Sequence, residues 1–133
     1  MIQYLLDTDI CIYLIKERPG KVIRRLRQES PTDVGVSSIT LSELELGVHR
    51  SARPEQNRTA LFQFLAPLSI LPYDDLAAAC YGELRSHLES SGTPIGSMDT
   101  LIAAHALSLE CKLVTNNVRE FSRATELAIE NWA

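Results

Sequence analysis

Short apolar runs alternate with longer amphipathic stretches along the whole chain. Residues 2–6 (IQYLL) form the first run and stop at Asp7-Thr8-Asp9, which predicts a buried strand ending in polar residues. Residues 10–16 (ICIYLIK) are apolar nearly all round and predict a buried helix, capped by Thr8 or Asp9, before Pro19-Gly20 breaks the chain. A basic helix over 21–28 keeps Val22 and Leu26 on one side, and residues 34–39 (VGVSSI) predict a second strand. Thr40 opens a helix to about His49, residues 55–66 form another, and 68–72 (LSILP) a short strand. Asp74 and Asp75 are suited to cap a long helix to about Ser90, followed by the loop Gly92-Thr93-Pro94-Ile95-Gly96. Ser97 caps a helix from about 98 to 109, residues 112–115 (KLVT) predict a strand, and 127–129 (LAI) a last one.

Strands alternating with helices predict an α/β fold with a mainly parallel sheet. The chain has 133 residues, which suits a single domain over 1–133. In such sheets, sites form at the carboxyl ends of the strands. That rule selects Asp7-Thr8-Asp9, Ser37 to Glu43, and Thr115-Asn116-Asn117.

The acids at these places each have an ordinary explanation and a chemical one. Asp7 could be a cap or a turn residue, but Thr8 and Asp9 cap equally well. A carboxylate ending a central strand is poorly solvated and needs a partner or a cation. Glu43 closes a capping box with Thr40, and Ser42 to Glu45 makes a second one, so spacing leaves the register open. Glu43 and Glu45 lie about 200° apart on a helix and cannot share one site. Asp99 is placed to profit from the helix dipole, yet Ile102, Ala103 and Ala106 fall within about 60° of it, so it heads the stripe that faces the core. Near the last strands, Asn117 and Glu120 offer further oxygen ligands beside a turn. Acids gathered at one sheet edge repel, and hard divalent ions such as Mg²⁺ or Mn²⁺ prefer such a donor set. His49, His87 and His105 have neither zinc spacing nor a nucleophile beside them and read as surface or packing residues.

Composition narrows the classes further. Apolar residues make up 45% and charged residues 23%, as in ordinary globular chains. No apolar run approaches the roughly 20 residues of a membrane span, and MIQYLLDTD lacks the basic start of a secretory signal. Cys11, Cys80 and Cys111 are odd in number and widely spaced, which suits free thiols in a reducing cytoplasm. Net charge is −4, so nucleic-acid binding needs a local basic patch. Lys16 to Arg27 (KERPGKVIRRLR) supplies one. It reads as a solvated helix face or as a phosphate-contacting rim that includes Lys16, Arg24 and Arg25.

The segments LLDTDICIYLIK, SSITLSELELGV, GTPIGSMDTLIAAHAL and LVTNNVREF occur in this order along the chain. With them the sequence resembles the PIN-domain ribonuclease toxins of the VapC type over essentially its whole length. The resemblance implies a three-layer α/β/α sandwich, a homodimer, a cytoplasmic Mg²⁺- or Mn²⁺-dependent endoribonuclease acting on structured RNA such as tRNA, and a cognate VapB-type antitoxin. It matches Asp7, Glu43 and Asp99 to three family acids that hold the metal, and so selects Glu43 over Glu45. Where many relatives have a fourth acid, this chain has Asn117, with Glu120 nearby. The resemblance gives Asn117 or Glu120 the role of completing the shell, and Thr115 and Asn116 that of holding metal waters or the scissile phosphate.

Two other readings compete. Asp7-Thr8-Asp9 after an apolar strand also resembles the nucleophile motif of haloacid-dehalogenase-type phosphatases, which further need a nearby lysine and a late acidic pair. Asn117 in place of an acid also suits a PIN-like module that binds RNA or protein without cutting.

Overall fold

The computed structural model describes residues 1–133. Its centre is strand β1 (Tyr4–Leu6), where Leu5 and Leu6 are both fully buried. Helix α1 (Thr8–Lys16) and the basic helix α2 (Gly20–Leu26) follow, then a 3₁₀ turn over Pro31–Asp33. Strand β2 (Val34–Ser37) leads into α3 (Ser38–Arg50) and α4 (Pro54–Leu65). Strand β3 (Ser69–Leu71) precedes the long pair α5 (Asp75–Ser90) and α6 (Ser97–Leu109). Strand β4 (Lys112–Val114), the short α7 (Val118–Phe121) and β5 (Ile129–Glu130) complete the chain.

All five strands run parallel, in the order β3-β2-β1-β4-β5. Period-two alternation splits the core. Leu6 joins Ile10, Val22, Val36 and Leu61 on one face, while Leu5 joins Ile102, Ala106, Leu113 and Phe121 on the other. Helices cover both faces, which gives the three-layer α/β/α sandwich. Gly35 in β2 has a steric reason: a Cβ there would meet Leu71 Cδ1 at 2.9 Å and the Ser69 carbonyl oxygen at 3.2 Å.

The order 3-2-1-4-5 sets the site. From β1 the chain moves outward to β2 and β3, then returns to β4 on the other side of β1. The crevice at such a reversal opens at the carboxyl ends of the two strands that flank it. Those ends are Asp7, after β1, and Thr115, after β4; the Asp7 N–H donates to the Val114 carbonyl at 3.0 Å across them.

Several helix starts differ from expectation. The cap of α1 is Asp7, whose Oδ1 accepts from Ile10 N at 2.9 Å, rather than Thr8 or Asp9. Helix α3 begins at Ser38, with Ser37 as its cap, because the chain turns straight out of β2; Thr40 lies inside the helix and its capping box with Glu43 does not form. Ser97 is the first residue of α6 and Gly96 holds the cap position. The last strand falls two residues later than the LAI run, on Ile129–Glu130. Cys11, Cys80 and Cys111 are free thiols, and no helix is long and apolar enough to cross a membrane.

Arg25, expected on a phosphate-contacting rim, is spent on structure. Its guanidinium donates to Glu29 at 2.6 Å and to Glu130 at 2.9 Å, and lies 4.8 Å from the centroid of Trp132. Glu130 also accepts from the Trp132 indole N–H at 2.8 Å, so this one arginine pins β5 and the tail to α2. Arg25→Ala is expected to cost about 1–2 kcal/mol through the lost stacking and ion pairs. Amide exchange at Thr115, whose N–H donates to the Glu130 carbonyl, should accelerate; unchanged protection there would contradict the clamp.

Candidate active site

Asp7 is 4% exposed and sits at the floor of the crevice. Burial pushes its carboxyl up to about 7, helped by the charges of Asp9 and Asp99 and opposed by hydrogen bonds from Thr115 and from Ile10 N. Asp99 stands in the first turn of α6, above fully buried Ile102, Ala103 and Ala106. Burial, then the charges of Glu120, Glu43 and Asp9, raise it to about 6. The acids after β1, on α3, on α6 and on α7 thus share one electrostatic field, although they are far apart in sequence.

Glu43 faces inward and accepts from the Thr8 hydroxyl at 2.5 Å, while the Thr40 hydroxyl oxygen lies 3.3 Å from the Thr8 oxygen. Glu45 points elsewhere, into an ion pair with Arg58 at 2.8 Å. Thr8→Val is therefore expected to free the Glu43 carboxylate with little change in melting temperature, and Thr8→Ser to keep it held. An unchanged Glu43 carboxyl-carbon signal in the NMR spectrum of the valine variant would show that Glu43 needs no such brace.

Glu120 and Asn117 act as one unit. Glu120 Oε1 accepts from Gly96 N at 3.0 Å, and its Oε2 accepts from Asn117 Nδ2 at 2.9 Å. These bonds, the Gly96 N–H first, hold the Glu120 carboxyl below the usual range. A Cβ at Gly96 would stand 3.7 Å from Glu120 Oε1 and 3.9 Å from Asp99 Oδ2, so both carboxylates flank this glycine. The charge at this position comes from Glu120, and Asn117 orients it.

Other expected site residues are placed differently. Thr115 is fully buried; its oxygen accepts from Asn117 N at 2.9 Å and its hydroxyl serves Asp7, so it is not free to meet a phosphate. The Asn116 amide donates to the Tyr13 hydroxyl at 2.8 Å, and its buried Oδ1 lacks a partner. Lys16 and Arg24 are exposed on the basic face. Neither is among the main charges acting on the raised acids, which are all carboxylates. That also weighs against the phosphatase reading, which needs a lysine beside Asp7. Sequence reasoning selected the DTD run but missed the contact of the Thr8 hydroxyl with Glu43 and the charge of Asp9 on its neighbours, and it missed Arg123, which donates to the Pro94 carbonyl at 2.7 Å and lowers Glu120. Thr8 and Asp9 carried a legible signal, their place in that run; Arg123 carried none.

No group of three Asp, Glu, His or Cys side chains is set to hold a metal ion as placed. The acids share a field without closing into a ligand shell. A cavity of about 450 Å³ lined by Tyr4, Cys111 and Lys112 opens at the opposite, amino-terminal ends of the strands.

A family profile described as PIN domain matches residues 4–127. The chain is 42% identical over 130 residues to "Ribonuclease VapC2" of Rickettsia felis, covering 97% of each. It is 40% identical over 132 residues to "tRNA(fMet)-specific endonuclease VapC" of Salmonella typhimurium, covering 99% of each. Among solved structures, DNA-bound VapBC from Salmonella typhimurium matches over 100% of both chains, with a TM-score of 0.95 and 40% identity.

Proposed function

The chain belongs to the PIN-domain family, in its VapC group, and from that membership we propose that it is a divalent-metal-dependent endoribonuclease. It acts as the toxin of a type II toxin–antitoxin pair and hydrolyses phosphodiester bonds in structured RNA, with tRNA the first substrate to test. The observation that carries this reading is the pair of mutually repelled carboxyls, buried Asp7 and half-buried Asp99, at the crevice between β1 and β4. Such a charge deficit suits a hard cation, and every donor is a carboxylate oxygen, the set that Mg²⁺ and Mn²⁺ prefer.

In this reading Asp7, Asp99 and Glu43 would hold Mg²⁺ or Mn²⁺, and Glu120, oriented by Asn117, would complete the shell. A bound ion supplies water of lowered pKa and positive charge for the phosphate oxygens. Thr8 fixes the Glu43 carboxylate so that its other oxygen would face the metal, directly or through a water that it orients. Thr115 and Ile10 N orient the Asp7 carboxyl and favour its anionic form against burial. Hydrolysis along this route leaves a 5′-phosphate and a 3′-hydroxyl. Lys16 and Arg24 offer phosphate contacts beyond the acidic centre.

The protein works in the cytoplasm as a homodimer beside a VapB-type antitoxin. Exposed Leu46, Phe62 and Leu76 supply apolar surface for such contacts, and an antitoxin arginine or lysine among the carboxylates would replace the metal's charge. The test is incubation of the purified chain with tRNA(fMet) transcript in Mn²⁺, followed by mapping of RNA ends. Discrete cuts with 5′-phosphate ends, lost in excess EDTA, are expected. Tight RNA binding without cleavage would instead support the binding-module reading.

A further inference from the structure

His105 is buried at 1% exposure on α6, the helix that carries Asp99. Its Nδ1 lies 2.8 Å from Ser37 Oγ, and Ser37 is fully buried. Ser37 Oγ also accepts from Ile39 N at 3.1 Å, so the atom that meets the imidazole is the one that caps α3. Helix α3 carries Glu43. His105 follows Asp99 by six positions and Glu43 follows Ser37 by six, each about 9 Å of helix rise. The bond thus spans the two acid-bearing helices at a fixed setback from each carboxylate.

Its surroundings allow little play. The ring of Tyr73 packs edge-on to the imidazole, with centroids 5.7 Å apart and planes at 81°. Tyr73 N donates to Ser38 Oγ at 3.0 Å, bracing the next residue of the same helix start. The Ser37–His105 contact is the only side-chain hydrogen bond between the start of α3 and α6. Glu43 and Asp99 repel one another across the same gap, so the helices need a tie that does not yield. A buried aliphatic side chain could fill this space, but it could not fix the rotation of the α3 cap.

We infer that His105 is a positioning residue: through Ser37 it sets the placement of Glu43 against Asp99, and so the affinity of the carboxylate centre for a divalent ion. This inference rests on the nuclease reading. The imidazole takes no part in bond breaking. What matters is a hydrogen-bonding atom at the Nδ1 position, which an asparagine side chain reproduces and a glutamine side chain, reaching to the Nε2 position, does not.

The experiment compares wild type with His105→Asn, His105→Gln and His105→Leu, each checked for folding by circular dichroism. Mn²⁺ binding is measured by titration calorimetry, and kcat and KM on tRNA(fMet) transcript. The Leu and Gln variants are expected to bind Mn²⁺ about tenfold more weakly and to lose about tenfold in kcat, with KM within about twofold; Asn should return both to within about threefold of wild type. A purely space-filling histidine predicts the reverse, with no gap between Asn and Gln. Equal Mn²⁺ affinity in all four proteins, or indistinguishable Asn and Gln variants, would overturn the inference whether or not RNA is cut. Wild-type protein that binds Mn²⁺ yet leaves RNA whole would instead overturn the nuclease reading, and the order of Mn²⁺ affinities would still decide the role of His105.

Discussion

Asp99→Asn is expected to reduce RNA cleavage by at least about a hundredfold, toward a thousandfold, while the protein stays folded. The substitution keeps size and shape and removes one negative charge from a field set by Asp9, Glu43 and Glu120. Loss of the first-turn acid removes about 0.3–1 kcal/mol of helix-dipole stabilisation. Above pH 6 that is offset by relief of burial and repulsion, so the melting temperature should not fall. Asp7 allows a sharper separation, because it is both a site acid and the cap of α1. Asparagine caps as well as aspartate, so Asp7→Asn should lose activity and keep the helix start. Asp7→Ala should lose activity and be about 1 kcal/mol less stable than Asp7→Asn, since both relieve the burial of the charge and only asparagine keeps the cap. Single-turnover cleavage and thermal melts of the three variants measure both quantities. Full activity in Asp99→Asn would remove the basis for a carboxylate-centred mechanism.

The order of strands and helices was legible because each strand is a brief apolar run and each long helix keeps an apolar stripe. Asp99 was legible for the same reason: its angular position over Ile102, Ala103 and Ala106 depends on helix geometry alone. Side-chain partnerships were not. Three adjacent residues of the DTD run can all cap a helix, and only the exit direction of β1 makes Asp7 the one that does. Arg25 belongs to a run that reads as a solvated basic face, and nothing local shows that Glu130, 105 residues away, will reach it. Glu120 meets Gly96 only because α7 folds back over the loop before α6. Spacing could not choose between Glu43 and Glu45 for the same reason. The deciding contacts, Thr8 to Glu43 and Arg58 to Glu45, come from other elements.

The second large effect is expected from proton and metal linkage. An unfolded chain titrates aspartate near its ordinary 3.8, whereas folded Asp99 titrates at about 6 and Asp7 at about 7. Between those limits the folded protein holds protons that the unfolded chain has released. Stability contributed by these two groups therefore falls as pH rises from about 4 to 7, and the penalty is complete above about 7. Its size is on the order of a few kcal/mol, shared between two coupled acids. Buried His105, whose pKa is lowered by desolvation, acts in the opposite sense as pH falls below its ordinary value. The informative quantity is accordingly the difference between wild type and Asp7→Asn, in which His105 cancels. In EDTA that difference should grow in favour of the variant as pH rises from 5 to 7.5. Mn²⁺ at about 100 times its dissociation constant should return about 2.7 kcal/mol to wild type at pH 7.5. It should return far less at pH 5, where protons occupy the same oxygens. Denaturant titrations at several pH values, with and without Mn²⁺, measure both. A flat difference across pH, or no stabilisation by Mn²⁺ at pH 7.5, would mean that these carboxyls are not a cation-binding centre.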